Sequence, residues 1–295
     1  MTLARTFDTD ARKPGVLNHL RSMVCLPNLV WQNRYMVQNF FQRELRSRFH
    51  GSMLGAWWML VQPMFMFCVY FLIFGVMYSK DEGGPSIEFA LYLFNGVICF
   101  HALTEAASTC CNIVVTNSNL VKKVAFPSEI LPLPPAMVSL VVYMVGATLT
   151  VLIGVVSGAR YPGVEILLLP VVLVLQFFFS LGLGMLLGNA NVFVRDVQHV
   201  WRIFATSWFF LSPVFWKPAM MIELMGRDWA NVLFSANPAY SLLCAHRIVL
   251  GGENVDYMLV DVWHHIGVLA AWAAAVMVFG YVSFVANKHK HADIV

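Results

Sequence analysis

The feature that most restricts this chain is the recurrence of long windows without charge: Trp57 to Tyr78, Phe89 to Val115 interrupted only by His101 and Glu105, Leu131 to Val156, Ile166 to Val194 and Ile266 to Asn287. A helix needs about 20 apolar residues to cross the hydrocarbon core of a bilayer. Every one of these windows reaches that length. In lipid the backbone must satisfy its own N–H and C=O groups, so isolated spans of this kind are helices. A sixth window, Ile203 to Trp216, is shorter and reaches spanning length only if its helix starts near Val197 and Arg202 snorkels to the headgroups. The expectation is an all-α membrane protein with six spans, at about 57–78, 89–115, 131–156, 166–194, 198–216 and 266–287. Composition excludes a soluble core. Of 295 residues, 59% are hydrophobic and 12% charged, against roughly 45–50% apolar in soluble domains. Soluble machinery has to come from a partner. Residues 1–28 carry dispersed charges and nothing like a cleaved signal peptide. They are read as an N-terminal tail, 29–288 as the membrane domain, and 289–295 as a short tail in which His289 and His291 fray.

The scarce charge is sorted. With six spans, residues 1–56, the loops around Lys122 and Arg195 and the tail share one face and hold 14 basic residues, while the opposite face holds 5. The positive-inside rule then makes both termini cytoplasmic. Trp31, Trp57, Trp58 and Trp201 fall at inner boundaries and Trp216 and Trp263 at outer ones, where amphipathic rings prefer to lie.

Three segments are not ordinary spans. Val30 to Phe49 is a two-sided helix, with Val37, Phe41 and Leu45 on one face and Arg43 and Arg46 roughly opposite. It suits the inner membrane interface, as an anchor on anionic headgroups or as a plain basic flank. In the loop from Asn117 to Pro127, Asn117 or Ser118 can cap a short helix that Pro127 ends, giving a compact cytoplasmic knob that bears Lys122 and Lys123. Residues 217–265 are too apolar for an exposed loop and too broken to cross. Pro218 to Met225 and a helix opened by Asn237-Pro238 and closed by Gly251-Gly252 read as two re-entrant half-helices at an outer gate, or as a surface loop.

Chemistry-bearing motifs are sparse. The glycines Gly182, Gly184 and Gly188 lack the lysine of a phosphate-binding loop, and the spacing of Gly184 and Gly188 suits close helix packing. Glu105 is the one acid within a span and shares a helix face with His101, as a proton relay or as a structural pair. No catalytic cluster, metal-ligand spacing or disulfide framework stands out, and the cysteines read as small buried hydrophobes. Trp57, Trp201, Trp208, Phe209, Phe210 and Trp216 are packing or lipid-facing groups, or in part the walls of a passage where flat rings meet sugar faces.

The run Arg46-Ser47-Arg48-Phe49-His50-Gly51-Ser52-Met53-Leu54-Gly55-Ala56-Trp57-Trp58 with Gln62-Pro63 resembles the start of the membrane subunit of ATP-binding-cassette exporters of cell-surface polysaccharides. Asn119 to Lys123 with Phe126, Pro127 and Glu129, Arg195-Asp196 with Leu211 to Val214, and Asn237-Pro238 resemble later parts of the same family, in the same order. The Gly51-Ser52-x-Leu54-Gly55 form is closer to O-antigen than to capsule exporters, and His50 stands where a basic residue is common. The resemblance implies a transport subunit of the bacterial inner membrane rather than an enzyme. Two copies would form a channel and two separate ATPase subunits would carry ATP and Mg, so this chain itself would hold no cofactor. A polymer on undecaprenyl pyrophosphate would cross to the periplasm, and no nucleic acid would be involved. It implies ATPase coupling through Asn119, Lys122, Lys123, Phe126, Pro127 and Glu129. Arg43, Arg46 and Arg48 would frame the lipid-linked substrate's way in, and Asn237 and Pro238 would belong to the outer re-entrant pair. Apart from the resemblance, the residues themselves offer Trp57, Trp208, Phe209, Phe210 and Trp216 as candidates for the channel wall and Pro218 for the outer gate. Capsule, teichoic acid, drug or lipid export stay open within the family. A proton-coupled carrier using His101 and Glu105, or a membrane transferase, are the readings outside it.

Overall fold

A computed structural model describes residues 22–48, 51–75, 87–123, 127–159, 162–251 and 261–294. Phe126, His50, Gly252, the loops around Lys80 and Arg160 and the side chain of Lys123 lie outside the described residues. Among the described residues twelve α-helices follow in order: α1 Leu26–Gln32, α2 Arg34–Ser47, α3 Trp58–Tyr70, α4 Ile87–Thr116, α5 Ser118–Lys123, α6 Leu133–Val156, α7 Leu169–Phe193, α8 Val197–Leu211, α9 Pro218–Met225, α10 Arg227–Ala236, α11 Pro238–Val249 and α12 Val262–Ile294. There is no strand among the described residues. Five helical runs among the described residues are long and apolar enough to cross a membrane: Gly55–Ile73, Ile87–Thr116, Ser128–Val156, Val164–Phe193 and Val262–His291. They coincide with the five long charge-free windows.

The sixth window behaves differently. α8 starts at Val197, as its apolar pattern asks, but has only 15 residues, about 22 Å at 1.5 Å per residue. It stops because Pro213 disfavours helical geometry at Ser212, whose ψ is 148°. The helix therefore falls short of Trp216.

α4 is the central post. Leu91, Leu93, Phe94, Cys99, Leu103 and Cys110 are fully buried along it, and it packs against α6, α7 and α11. Glycine sets how close these helices come. A Cβ on Gly184 would lie 2.5 Å from the Cβ of Cys110, and one on Gly188 would lie 2.8 Å from the Cys110 carbonyl oxygen, so both must stay hydrogen-sided for α7 to touch α4. On its other side α7 meets α12 backbone to backbone, through Gly182 against Met277 and Gly280 against Gly182.

α2 buries Val37 and packs Phe40 onto the cluster formed by Ile130, Leu131 and Leu133, leaving Arg43 and Arg46 exposed. α12 corrects the expectation of a frayed C-terminal tail. It remains helical to Ile294, His291 is fully buried, and its Nε2 lies 3.0 Å from Asn189 Oδ1 on α7. The stretch after α8 also holds more than the two half-helices expected. α9 and α11 form where Pro218 and Asn237-Pro238 place their first turns, and α10 lies between them after Gly226, whose φ of +81° favours glycine. α11 is buried along nearly its whole length, against α4 and α12.

Candidate functional site

A polar face runs down α4. His101, Thr104, Glu105, Ser108 and Asn112 recur at helical spacing. Two hydroxyls on this face are tied to the backbone: Thr104 Oγ1 donates to the Phe100 carbonyl at 3.0 Å and Ser108 Oγ to the Thr104 carbonyl at 2.6 Å. Ser108 Oγ also accepts from Trp201 Nε1 of α8 at 2.8 Å. Glu105 is paired on both sides. Its Oε1 lies 2.8 Å from Arg48 Nη1, and its Oε2 lies 3.7 Å from His101 Nδ1.

Two cavities open on this face and share Met66, His101 and Glu105. One, of about 280 Å³, lies between α3, α4 and α6 and is also lined by Arg48, Trp58 and Gln62. The other, of about 480 Å³, faces α8 through Arg202, Thr206 and Phe209. Arg48 is brought to the first by the turn between α2 and α3, where Gly51 (φ +78°) and Gly55 (φ +51°) take left-handed conformations and Ser52 Oγ accepts from Trp58 Nε1 at 2.6 Å. Their backbone conformations account for the two glycines of the Gly51-Ser52-x-Leu54-Gly55 run.

At the other end of α8, the break at Ser212-Pro213 strips carbonyl groups of helical partners, and two polar hubs take them up. Asn237 caps α11 by accepting from the Ala239 N–H at 3.1 Å, accepts from Trp208 Nε1 at 2.8 Å and donates to Ser212 Oγ at 3.0 Å. Arg247, 1% exposed, donates Nη1 to the Pro213 carbonyl at 2.8 Å and Nη2 to the Val214 carbonyl at 3.2 Å. Its guanidinium sits 3.5 Å from the ring centre of Tyr92, whose hydroxyl donates to the Trp216 carbonyl at 2.8 Å. Replacing Arg247 by Met leaves the Val214 carbonyl without its arginine donor and the Pro213 carbonyl with only the Tyr92 hydroxyl at 3.3 Å, at ~1–3 kcal/mol for a buried group left unsatisfied. The expected result is a chain that melts several degrees lower in detergent, by Trp fluorescence, with α9 to α11 turning protease-sensitive before the spans.

At the opposite end of α4, Arg43 Nη2 donates to Asn117 Oδ1 at 2.9 Å, fastening α2 to the first turn of α5. Asn119 and Lys122 are exposed on α5, Val121 packs inward, and α5 touches α12. Glu129, 5% exposed, pairs with Lys288 of α12 through 3.4 Å. The short helix thus sits on the ends of two long ones.

The structure brings together residues that the sequence left apart. Arg48 joins Glu105, Arg43 joins the α5 loop, and Trp208 joins Asn237, while Arg46 stays exposed in a shallow groove with Asn39 and Gln42. Of the aromatic candidates, Phe209 lines a cavity, Trp57 and Phe210 are exposed, Trp216 is half-buried and Trp208 is 9% exposed. Pro218 is buried at the start of α9, and Pro238 occupies the first turn of α11. Sequence reasoning missed Arg247, which it counted as a charge on the outer surface. It also missed a buried chain in which Tyr143 Oη lies 2.7 Å from His246 Nδ1 and His246 Nε2 lies 2.8 Å from Gln176 Oε1. A lone arginine in the apolar run of α11, downstream of a helix-breaking proline, was the available signal for the first. For the second no signal exists, since the three residues lie on three different helices.

The ABC-2 type transporter family matches residues 35–250. The chain is similar to the O-antigen export system permease protein RfbA of Myxococcus xanthus, 26% identical over 254 residues that cover 86% of this chain and 95% of that protein. It is also similar to the protein of the same name from Klebsiella pneumoniae, 20% identical over 85% of this chain and 92% of that one. The polysialic acid transport protein KpsM of Escherichia coli is 24% identical over 60% of this chain and 67% of its own.

Proposed function

Because the chain belongs to the ABC-2 type transporter family, we propose that it is the channel-forming permease of an ATP-driven exporter of undecaprenyl-pyrophosphate-linked polysaccharide, O-antigen being the favoured cargo. The observation that carries this reading is the polar, partly exposed face of α4, along which two cavities open. A sugar chain is met by hydroxyl, imidazole, amide and flat aromatic groups along its path, and His101, Thr104, Ser108, Thr206 and Phe209 on one cavity and Gln62 on the other supply them. The fact that relatives named for O-antigen and polysialic acid transport match most of the chain supports the polymer class. The chain is a transport component, and hydrolysis of ATP with Mg belongs to a partner ATPase.

In this reading two copies form the channel in the bacterial inner membrane with both termini cytoplasmic, and α8 is a sixth, shortened span whose outer end is completed by α9 to α11. The amphipathic α2 lies at the inner interface. Arg46 and Arg48 meet the lipid pyrophosphate, since a planar guanidinium donates two hydrogen bonds to one phosphate group. α5, with Asn119, Lys122 and Lys123 and the following Phe126, Pro127 and Glu129, receives the ATPase. The pairing of Glu105 with Arg48 favours a structural over a proton-relaying carboxylate. Deleting the gene tests the reading. Long-chain surface polysaccharide should vanish while its lipid-linked form accumulates inside the cell. Normal surface polymer in the deletion strain would refute it.

A further inference from the structure

Among the described residues Glu105 is the one carboxylate well inside the spanning runs, and its partner comes from far along the chain, from the turn between α2 and α3. An acid at this depth is costly unless paired. Yet neither side chain of the pair is sealed: Arg48 is 16% and Glu105 28% exposed, and both line the 280 Å³ cavity with Gln62 and Trp58. A second partner also waits beside the carboxylate, because His101 Nδ1 is 3.7 Å from Oε2 on the same helix face. Glu105 can therefore release Arg48 without being left alone. Other charged groups near the pair are few. Arg202 lines the adjoining cavity, and Arg43 is engaged by Asn117.

Resting on the export reading above, we propose that Glu105 is a built-in stand-in for the diphosphate head of a lipid-linked substrate. In the empty permease it occupies Arg48. An arriving diphosphate, with more charge and more acceptor oxygens than one carboxylate, takes the guanidinium, and Glu105 turns to His101. The exchange keeps the arginine paired at every stage and makes its release the signal that a headgroup is present. It also sets selectivity. An uncharged lipid or drug cannot displace the carboxylate.

The test uses the complete complex, this chain with its partner ATPase in nanodiscs, and reads ATP hydrolysis against added undecaprenyl pyrophosphate. Glu105→Gln removes the competitor, so the half-stimulating lipid concentration should fall about threefold to fivefold, the worth of a partly exposed ion pair. The double change Glu105→Gln with Arg48→Gln should lose that gain. A wild-type complex that responds to the lipid while Glu105→Gln responds identically would overturn this inference alone. A wild type indifferent to the lipid would overturn the export reading and the inference with it. Inorganic pyrophosphate is the second arm. If it stimulates as well as the lipid, the group recognised is a free diphosphate and the lipid assignment falls. Should Glu105→Gln fail to assemble, the swap Arg48→Glu with Glu105→Arg restores the pair with the arginine on α4. Its stimulation should be largely lost, and wild-type stimulation would count against the proposal.

Discussion

Gly280→Val should leave almost no folded protein in the membrane. The added Cβ is aimed at the backbone carbonyl of Gly182, and a backbone carbonyl cannot rotate away as a flexible side chain would. α12 would have to move off α7 along a contact that also buries Met277, Tyr281 and Phe284. Overpacking of a tight core costs ~1–3 kcal/mol when side chains can adjust, and more when they cannot. Membrane helices have little hydrophobic drive to re-associate once apart, because lipid tails are as apolar as the partner helix. Expression with a fluorescent fusion and gel filtration in mild detergent should show aggregate or degraded chain. Gly267→Val is the control. That glycine lies on the same helix, and an added Cβ there meets nothing within 4 Å, so this variant should elute like the wild type.

The second large effect is on coupling. Lys123→Glu together with Phe126→Ala should lower export by about tenfold or more, the size of a typical coupling free energy, while ATP hydrolysis by the complex continues. The reason lies in where α5 is mounted. Asn117 at its first turn is held by Arg43, its Val121 packs into the core, and it rests against α12, whose Lys288 pairs with Glu129 just beyond the loop. A push on this short helix would reach α4 and α12 together, and α12 is locked to α7. Lys122 is exposed on the same helix, and reversing the charge at the neighbouring position changes the electrostatics of the surface proposed to receive the ATPase. Export that survives with normal protein levels would show that the ATPase acts elsewhere.

Much of the fold was legible because a bilayer makes a physical demand that a chain either meets or fails, an uncharged helix of fixed length. The five long windows, the proline-opened α9 and α11 and the short α5 all follow from that demand and from local backbone chemistry. What stayed hidden were places where tertiary partners overrule a residue's usual setting. Arg247 reads as a surface charge until the break at Ser212-Pro213 is seen to offer it carbonyl acceptors. The end of α12 reads as a polar tail by average hydropathy. Its buried positions Tyr281, Phe284, Val285 and His291 instead keep a helical period, so the face continues past Asn287, where the charge-free window ends. α10 went unseen because Arg227 and Asp228 interrupt the apolar run that a search for spans follows. At the candidate site, the spacing of His101 and Glu105 was visible. The third member, Arg48, was visible only as part of a basic flank, since no local pattern ties it to a carboxylate on another helix.

The central claim is that this chain moves a lipid-linked polysaccharide only when a partner ATPase drives it. The direct measurement places the purified chain and its ATPase in sealed vesicles with a fluorescent lipid-linked polymer, and follows the polymer's arrival on the far side. Transport should require both proteins and ATP, and should be indifferent to a proton gradient. Transport by the chain alone, or transport driven by a proton gradient without ATP, would contradict it.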